Sequence, residues 1–353
     1  MSIKQRLKQA IVQRSIGKRK KAHPFDQHFA ENFTLPPDAL PDKNNSYYFS
    51  AHDGEGASFL FRLGRRGGGK SEIWLAYKNA AGQAWINSRH LFDDADSPAK
   101  VECITPGEKW AFSYKGKAVK LALDKDMAGI PQAPEAHAEF TGTFTASDPI
   151  FEFSYHMDPE PLARAIAMEK WTKGFFKEVQ ENDQTHYEQQ GHVKGELTLD
   201  GKKIPLDMRA MRDHSFGKRD WNYMDRHIWL MALLEDGTAL NVNMVRYPAV
   251  ANLQTGYYIT DSDTVCVHSA TPMDEIECTG KVPKGFQYSV RLTDGRVLQA
   301  ACEKEMEFVF PFDEGLYTIY EGVGNFTVNG VKGRGIIEFA FNRDASRWTR
   351  GGK

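Results

Sequence analysis

Leu206-Asp-Met-Arg-Ala-Met-Arg-Asp-His-Ser-Phe-Gly-Lys-Arg-Asp-Trp221 gathers an acid, an imidazole, guanidiniums and an indole more tightly than any other stretch of the chain. Upstream, Gly195-Glu-Leu-Thr-Leu-Asp-Gly-Lys-Lys-Ile-Pro-Leu206 reads as a β-hairpin with Asp200-Gly201 as its turn. Downstream, His227–Leu234 and Thr238–Val245 read as a second hairpin around Glu235-Asp236-Gly237. The polar cluster is therefore expected on a loop, where one strand ends and the next begins. Functional side chains commonly stand on loops carried by a rigid β scaffold.

Working outward, the β pattern continues in both directions. Before the cluster come Ser46-Tyr-Tyr-Phe-Ser, Ser58-Phe-Leu-Phe-Arg-Leu, Glu72-Ile-Trp-Leu-Ala-Tyr and the alternating His137–Ala146. After it come Gly256-Tyr-Tyr-Ile-Thr, Phe286–Leu292, Phe308–Phe312 and Gly333-Arg-Gly-Ile-Ile-Glu338. Short alternating runs between Gly, Asp and Asn signals indicate a sandwich or barrel. About eight strands in each half predict two closed antiparallel barrels, since closure removes exposed edges and such a barrel holds one small ligand. The clear helical stretch begins at Asp158-Pro, with Leu162, Ile166, Met168, Trp171 and Phe175 on one face. The expected division is a basic helix and lead-in at 1–40, a barrel at 41–160, a helical linker at 161–185 and a second barrel at 186–345.

Gly64-Arg-Arg-Gly-Gly-Gly-Lys70-Ser71 matches the phosphate-loop pattern letter for letter. That loop works at the start of a helix. Here β-prone Glu72-Ile-Trp-Leu-Ala-Tyr follows, so a glycine-rich hairpin is expected.

The chain has 353 residues, 41% of them hydrophobic, and a net charge of -2. The charge argues against a nucleic-acid binder. Cys103, Cys266, Cys278 and Cys302 show neither CxxC nor zinc spacing, which suits a reducing compartment. No apolar run is long enough to span a membrane and no secretory signal is visible, so a cytoplasmic location is expected. No cofactor and no metal are expected. Residues 1–21 carry Lys4, Arg6, Lys8, Arg14, Lys18, Arg19, Lys20 and Lys21 and no acid, with Ile3, Leu7, Ala10 and Ile11 at helical spacing. Such a stretch is either a weak amphipathic contact to anionic lipid or a solvated terminal helix packed on its own domain.

His214 beside Asp213 is the acid/base candidate, because imidazole titrates near neutrality. The alternative is that Asp213 pairs with Arg212 or Arg219 and fixes the loop. Of the two neighbours His214 is expected to face the barrel cavity, because a neutral imidazole tolerates an apolar interior better than a carboxylate does. Arg212, Arg219, Asp220 and Trp221 are read as a structural corner. Asn241 and Asn243 share a face, expected to be the barrel interior, and His186 and Glu188 share another. These four, with Phe216 and Trp229, are the ligand-contact candidates. Glu338, flanked by Ile337 and Phe339, would need a partner if buried.

His186-Tyr-Glu-Gln, Gly195-x-Leu-Thr-Leu-Asp-Gly, Arg212-Asp-His-Ser-Phe-Gly-x-Arg-Asp-Trp and Gly333-x-Gly-Ile-Ile-Glu338 together resemble the carotenoid-1,2-hydratase-like double-lipocalin family. The resemblance implies an all-β fold of two lipocalin-like (calycin) barrels joined by a helical linker. It also implies a hydrophobic ligand such as a lipid, isoprenoid or polyketide. In the hydratases a stretch of this kind supplies a catalytic histidine and tryptophan. Asp213 and His214 match it, and Phe216 stands where the tryptophan would be. A tyrosine and an aspartate of the hydratases would fall near Asn241 and Asn243, so the acid is lost here. The expected activity is a non-redox hydratase, cyclase or isomerase using His214. The alternative is a carrier or sensor that touches membranes through residues 1–21.

Overall fold

The computed structural model describes residues 1–348. The chain forms two compact units, each built from separate segments. One, the N-barrel unit, takes Asp26–Phe153 and Asp183–Arg219. The other, the C-barrel unit, takes Met1–Phe25, Ser154–Asn182 and the chain from Asp220 onward. The all-β expectation holds, with two antiparallel lipocalin-like barrels.

In the N-barrel, Lys43–His52, Ser58–Arg66, Lys70–Lys78, Ala84–Asn87, Lys109–Leu123, Gly129–Ala146, Gln184–Leu199 and Lys202–Lys218 pair in that order. Lys202–Lys218 then pairs with Lys43–His52, which closes the ring. The expected division at 161–185 is thereby corrected. The last two strands of this barrel come after the helices, not before them. Lys43–His52 needs a partner on its second edge, and the long hairpin at 184–218 supplies it. That hairpin turns at Asp200 and Gly201, both at positive φ (49° and 78°), the geometry Asp-Gly favours.

The inner face is set by period two. Tyr47, Phe49 and Ala51 point inward with Phe59, Phe61 and Leu63, and so do Leu206, Met208 and Ala210. The centre is an aromatic stack, with Phe49 and Phe112 parallel at 4.2 Å and Phe59 against Phe140 at 4.6 Å. Each fully buried Phe contributes about 1.5–3 kcal/mol.

The strands Arg226–Leu234, Ala239–Tyr247, Val250–Ile259, Thr264–Ala270, Gly285–Leu292, Val297–Phe312, Tyr317–Val328 and Val331–Asn342 form the C-barrel, which closes by pairing its last strand with its first. Ile228, Leu230, Val242, Met244, Ile337 and Phe339 fill it. At Gly335 a Cβ would meet the Met231 carbonyl oxygen at 1.6 Å, so only glycine lets these strands approach.

The helices Ile3–Ala22, Pro159–Met168 and Phe175–Glu181 belong to the same unit. Asp158 caps the second by accepting from the Glu160 amide. Val12 lies in a buried cluster with Ala163, Ile166, Phe175 and Ala249. The N-terminal helix is thus part of the packing, not a frayed appendage. No helix among the described residues is long and apolar enough to cross a membrane.

Gly64–Ser71 is a hairpin. Ser58–Arg66 and Lys70–Lys78 pair from Ser58↔Lys78 to Arg66↔Lys70, with Gly68 and Gly69 at positive φ in the turn. Lys70 is held by Asp93 at 2.5 Å.

Candidate functional site

The segment 206–218 is a strand throughout, not a loop. Leu206, Met208, Ala210, Arg212, His214 and Phe216 alternate onto one face, and all six are buried. Strand geometry prevails because the two polar members, Arg212 and His214, find partners inside the barrel.

Those partners come from three other elements. Arg212 donates to Glu31 at 2.8 and 3.0 Å and to Gln189 Oε1 at 2.7 and 2.9 Å. Glu31 ends the short helix Gln27–Glu31. Its carboxylate also accepts from Trp110 Nε1 at 2.9 Å, the Gly107 amide at 2.9 Å and the Tyr187 hydroxyl at 2.7 Å. Tyr187 contacts His214 Nδ1 in turn, and His214 Nε2 lies 2.7 Å from Asn45 Oδ1. Asn45 donates through Nδ2 to Phe33 O and to Tyr47 Oη, both at 3.0 Å. The network is a chain, Arg212–Glu31–Tyr187–His214–Asn45, roofed by aromatic rings. Tyr47 stacks on the imidazole at 4.3 Å, and Phe33 stacks on Phe216 at 4.0 Å. Phe29 is exposed and meets both Phe33 and Phe216 edge-on.

Electrostatics fix the protonation of this chain. Burial drives the His214 pKa well below its ordinary value, and the nearby Arg212 charge adds to the effect. The imidazole is therefore neutral at pH 7. Burial, reinforced by the Glu31 charge, holds Tyr187 well above its usual range, so it stays a phenol. Asn45 presents its oxygen to Nε2, so the matching tautomer carries its proton there and leaves a lone pair on Nδ1 facing Tyr187. The single phenolic proton is shared between Glu31 and His214.

Asp213 lies on the opposite face of the strand. It is paired with His186, and Glu188 Oε1 is 3.7 Å from the same nitrogen. Phe153 stacks on the His186 ring at 4.6 Å. Burial alone would lower the His186 pKa, but Asp213 by charge and hydrogen bond, with Glu188, outweighs it and the net shift is upward. Their donor atoms all lie within 4.8 Å of one another. One imidazole and two carboxylates are a donor set a divalent transition metal accepts. No spacing in the sequence announces it, because the residues stand on two paired strands. The His186–Asp213 ion pair satisfies both groups without a metal.

The expected pairing of Asp213 with Arg212 is corrected: Arg212 faces inward to Glu31, because neighbouring strand residues point to opposite sides. Arg219 bonds Gln184 Oε1 and Ser215 Oγ, both at 3.1 Å. Asp220 and Trp221 belong to the C-barrel unit. There Asp220 caps the turn Trp221–Tyr223, and Trp221 stacks on Phe312 at 4.3 Å. The proposed corner is thus divided between units.

Asn241, Asn243 and Trp229 belong to the C-barrel unit. They lie on the C-barrel face opposite its core residues Ile228, Leu230, Val242 and Met244, which corrects the interior placement. Asn243 Nδ2 donates to Asn241 Oδ1 at 3.0 Å. Glu338, on the same outer side, pairs with His227, whose Nδ1 lies 2.8 Å from Tyr317 Oη.

Sequence reasoning missed Glu31, Asn45, Trp110, Tyr187 and Gln189. Tyr187 and Gln189 lay within a quoted motif, and alternation against His186 and Glu188 puts them on the other face. Glu31 carried no signal.

A family model described as "Domain of unknown function (DUF7064)" matches residues 30–343. A search of curated proteins finds no match. Among solved structures, a protein of Nitrosomonas europaea assigned as AttH is 15% identical, with a TM-score of 0.52, covering 87% of this chain and 98% of that one. CghA, solved with Sch210972, is 11% identical with a TM-score of 0.51, covering 88% and 93%. Kievitone hydratase from Nectria haematococca is 10% identical with a TM-score of 0.47, covering 90% and 95%. At these identities the likeness to the first two concerns the fold alone.

Proposed function

The chain belongs to the DUF7064 family, and we propose that it binds a lipid, isoprenoid or polyketide and acts on it by non-redox proton transfer, as a hydratase, cyclase or isomerase. The observation that carries this reading is the buried line Glu31–Tyr187–His214, which ends in an imidazole under an aromatic roof. His214 is the acid/base: Nε2 gives its proton to the ligand and takes one back from it in the second half of the reaction, while the Tyr187 phenol, hydrogen-bonded to Nδ1, holds the ring in place. Arg212 and Gln189 position Glu31 and so set where the phenolic proton rests. A ligand reaching Nε2 replaces Asn45 and lies against Phe33 and Phe216, whose faces suit an unsaturated hydrocarbon. Asp213, His186 and Glu188 stand behind the strand and orient it. Native mass spectrometry of the protein from its own cells names the bound class of molecule. Turnover of that molecule in deuterated water then reads proton transfer. His214→Gln should keep the ligand and lose deuterium incorporation by at least tenfold. Undiminished incorporation sinks the assignment.

A second reading, a non-catalytic carrier, is favoured by one observation: both imidazole nitrogens already have partners. It predicts ligand binding with no deuterium incorporation in the unaltered protein.

A further inference from the structure

The N-terminal helix has two faces, and only one is used by the fold. At about 100° per residue, Val12 and Ile16 lie together, and they pack into the cluster with Ala163, Ile166 and Phe175. Lys8 and Lys20 lie toward that side and bond the Glu169 and Met157 carbonyls at 2.6 and 3.2 Å. Lys8 also sits over the Trp171 ring at 4.6 Å. The helix is thereby held along its length.

A different face carries Ile3, Leu7 and Ile11, each four residues after the last, exposed at 89%, 64% and 51%. In the same angular sector, further along, lie Arg14, Lys18 and Lys21, all exposed. Lys4 and Arg6 flank it, and no acidic residue occurs in residues 1–21. Three aliphatic side chains in water serve neither solubility nor the core. A surface that pairs them with a row of cations fits a bilayer of anionic lipid, where the aliphatics enter the acyl boundary and the cations meet headgroup charge. An acidic protein would match the cations but leave the aliphatics without a reason.

We propose that Ile3, Leu7 and Ile11 with Arg14, Lys18 and Lys21 form a docking face for anionic membrane surface, carried on a helix already fixed by its opposite side. The inference does not depend on what the N-barrel binds. The affinity implied is modest and salt-dependent, since three aliphatics without Trp or Phe bury little area.

The test is co-sedimentation of the full chain with vesicles of phosphatidylcholine alone and of roughly 3:1 phosphatidylcholine and phosphatidylglycerol at low and high salt. Binding is expected only to the anionic vesicles and only at low salt. Leu7→Asp with Ile11→Asp, and separately Arg14→Glu with Lys18→Glu, should each weaken it at least tenfold with the melting temperature unchanged. Equal binding to neutral vesicles, or full binding by either double variant, overturns the proposal. So does the finding that the aspartate variant turns a dimer into a monomer while vesicle binding persists, because the face would then join two copies of the chain.

Discussion

Glu31 accepts four kinds of donor inside the N-barrel, and Arg212 is the only cation among them. Removing either charge leaves the other buried without its counter-ion. Glu31→Gln should therefore cost about 3–5 kcal/mol, measured by chemical denaturation. A loss under about 1 kcal/mol would mean that the pair is solvated in solution. His214 gives a different signature. Its folded-state pKa is lowered, so below its ordinary value of about 6.5 the unfolded chain binds a proton that the folded chain refuses. Stability should fall with decreasing pH there by up to about 1.4 kcal/mol per unit, and His214→Gln should remove that part of the slope. The sign reverses for His186, whose folded-state value is raised. Its contribution is fully present below its ordinary pKa and fades as pH rises through the raised one. His186→Gln should thus destabilise at pH 6, and the loss should shrink as pH rises.

At the scale of elements, the hairpin at Gly64–Ser71 shows what a motif needs besides its letters. A phosphate loop requires a helix after its lysine, and here Lys70 opens a strand and pairs with Asp93. Equilibrium dialysis with ATP and magnesium should show no binding, and binding abolished by Lys70→Ala would contradict the hairpin reading. Most strands were legible in the sequence, because alternation such as that of His137–Ala146 is a local property. The strand character of 206–218 was not. Its charge density reads as a loop unless Glu31 and Gln189 are known to wait inside the barrel. The same limit hid the site. His214 was visible because it stands next to Asp213, yet its working partners lie on other strands. The sharing of a face by Asn241 and Asn243 was legible. Which face it was depends on the packing of Ile228 and Val242, which pairwise alternation cannot decide.

At the scale of the whole molecule, the units interleave along the chain. A cut after residue 185, where the sequence suggested a linker, strips the N-barrel of Lys202–Lys218 and nearly all of Gln184–Leu199. The fragment 1–185 should show no cooperative thermal transition by circular dichroism. A sharp transition there would mean that the ring closes without those strands. The N-terminal helix is affected by the same arrangement, because its packing partners Ala163, Ile166 and Phe175 belong to the later segment. Deleting residues 1–21 uncovers that cluster, so the truncated protein should melt several degrees lower, contrary to what a loose basic tail would give.

Interleaving also has a consequence in time. Lys43–His52 leaves the ribosome about 175 residues before Lys218, which closes the ring against it. At roughly 5–20 residues per second that is about 9 to 35 seconds during which one strand edge stays open in a growing chain. The N-terminal helix waits almost as long for Ala163 and Ile166. For much of its synthesis the nascent polypeptide therefore offers an unmatched aromatic strand and an unclaimed basic helix together. An open strand edge and uncovered apolar surface invite association during synthesis, so the protein's yield should depend on a holdase chaperone more than its finished architecture suggests.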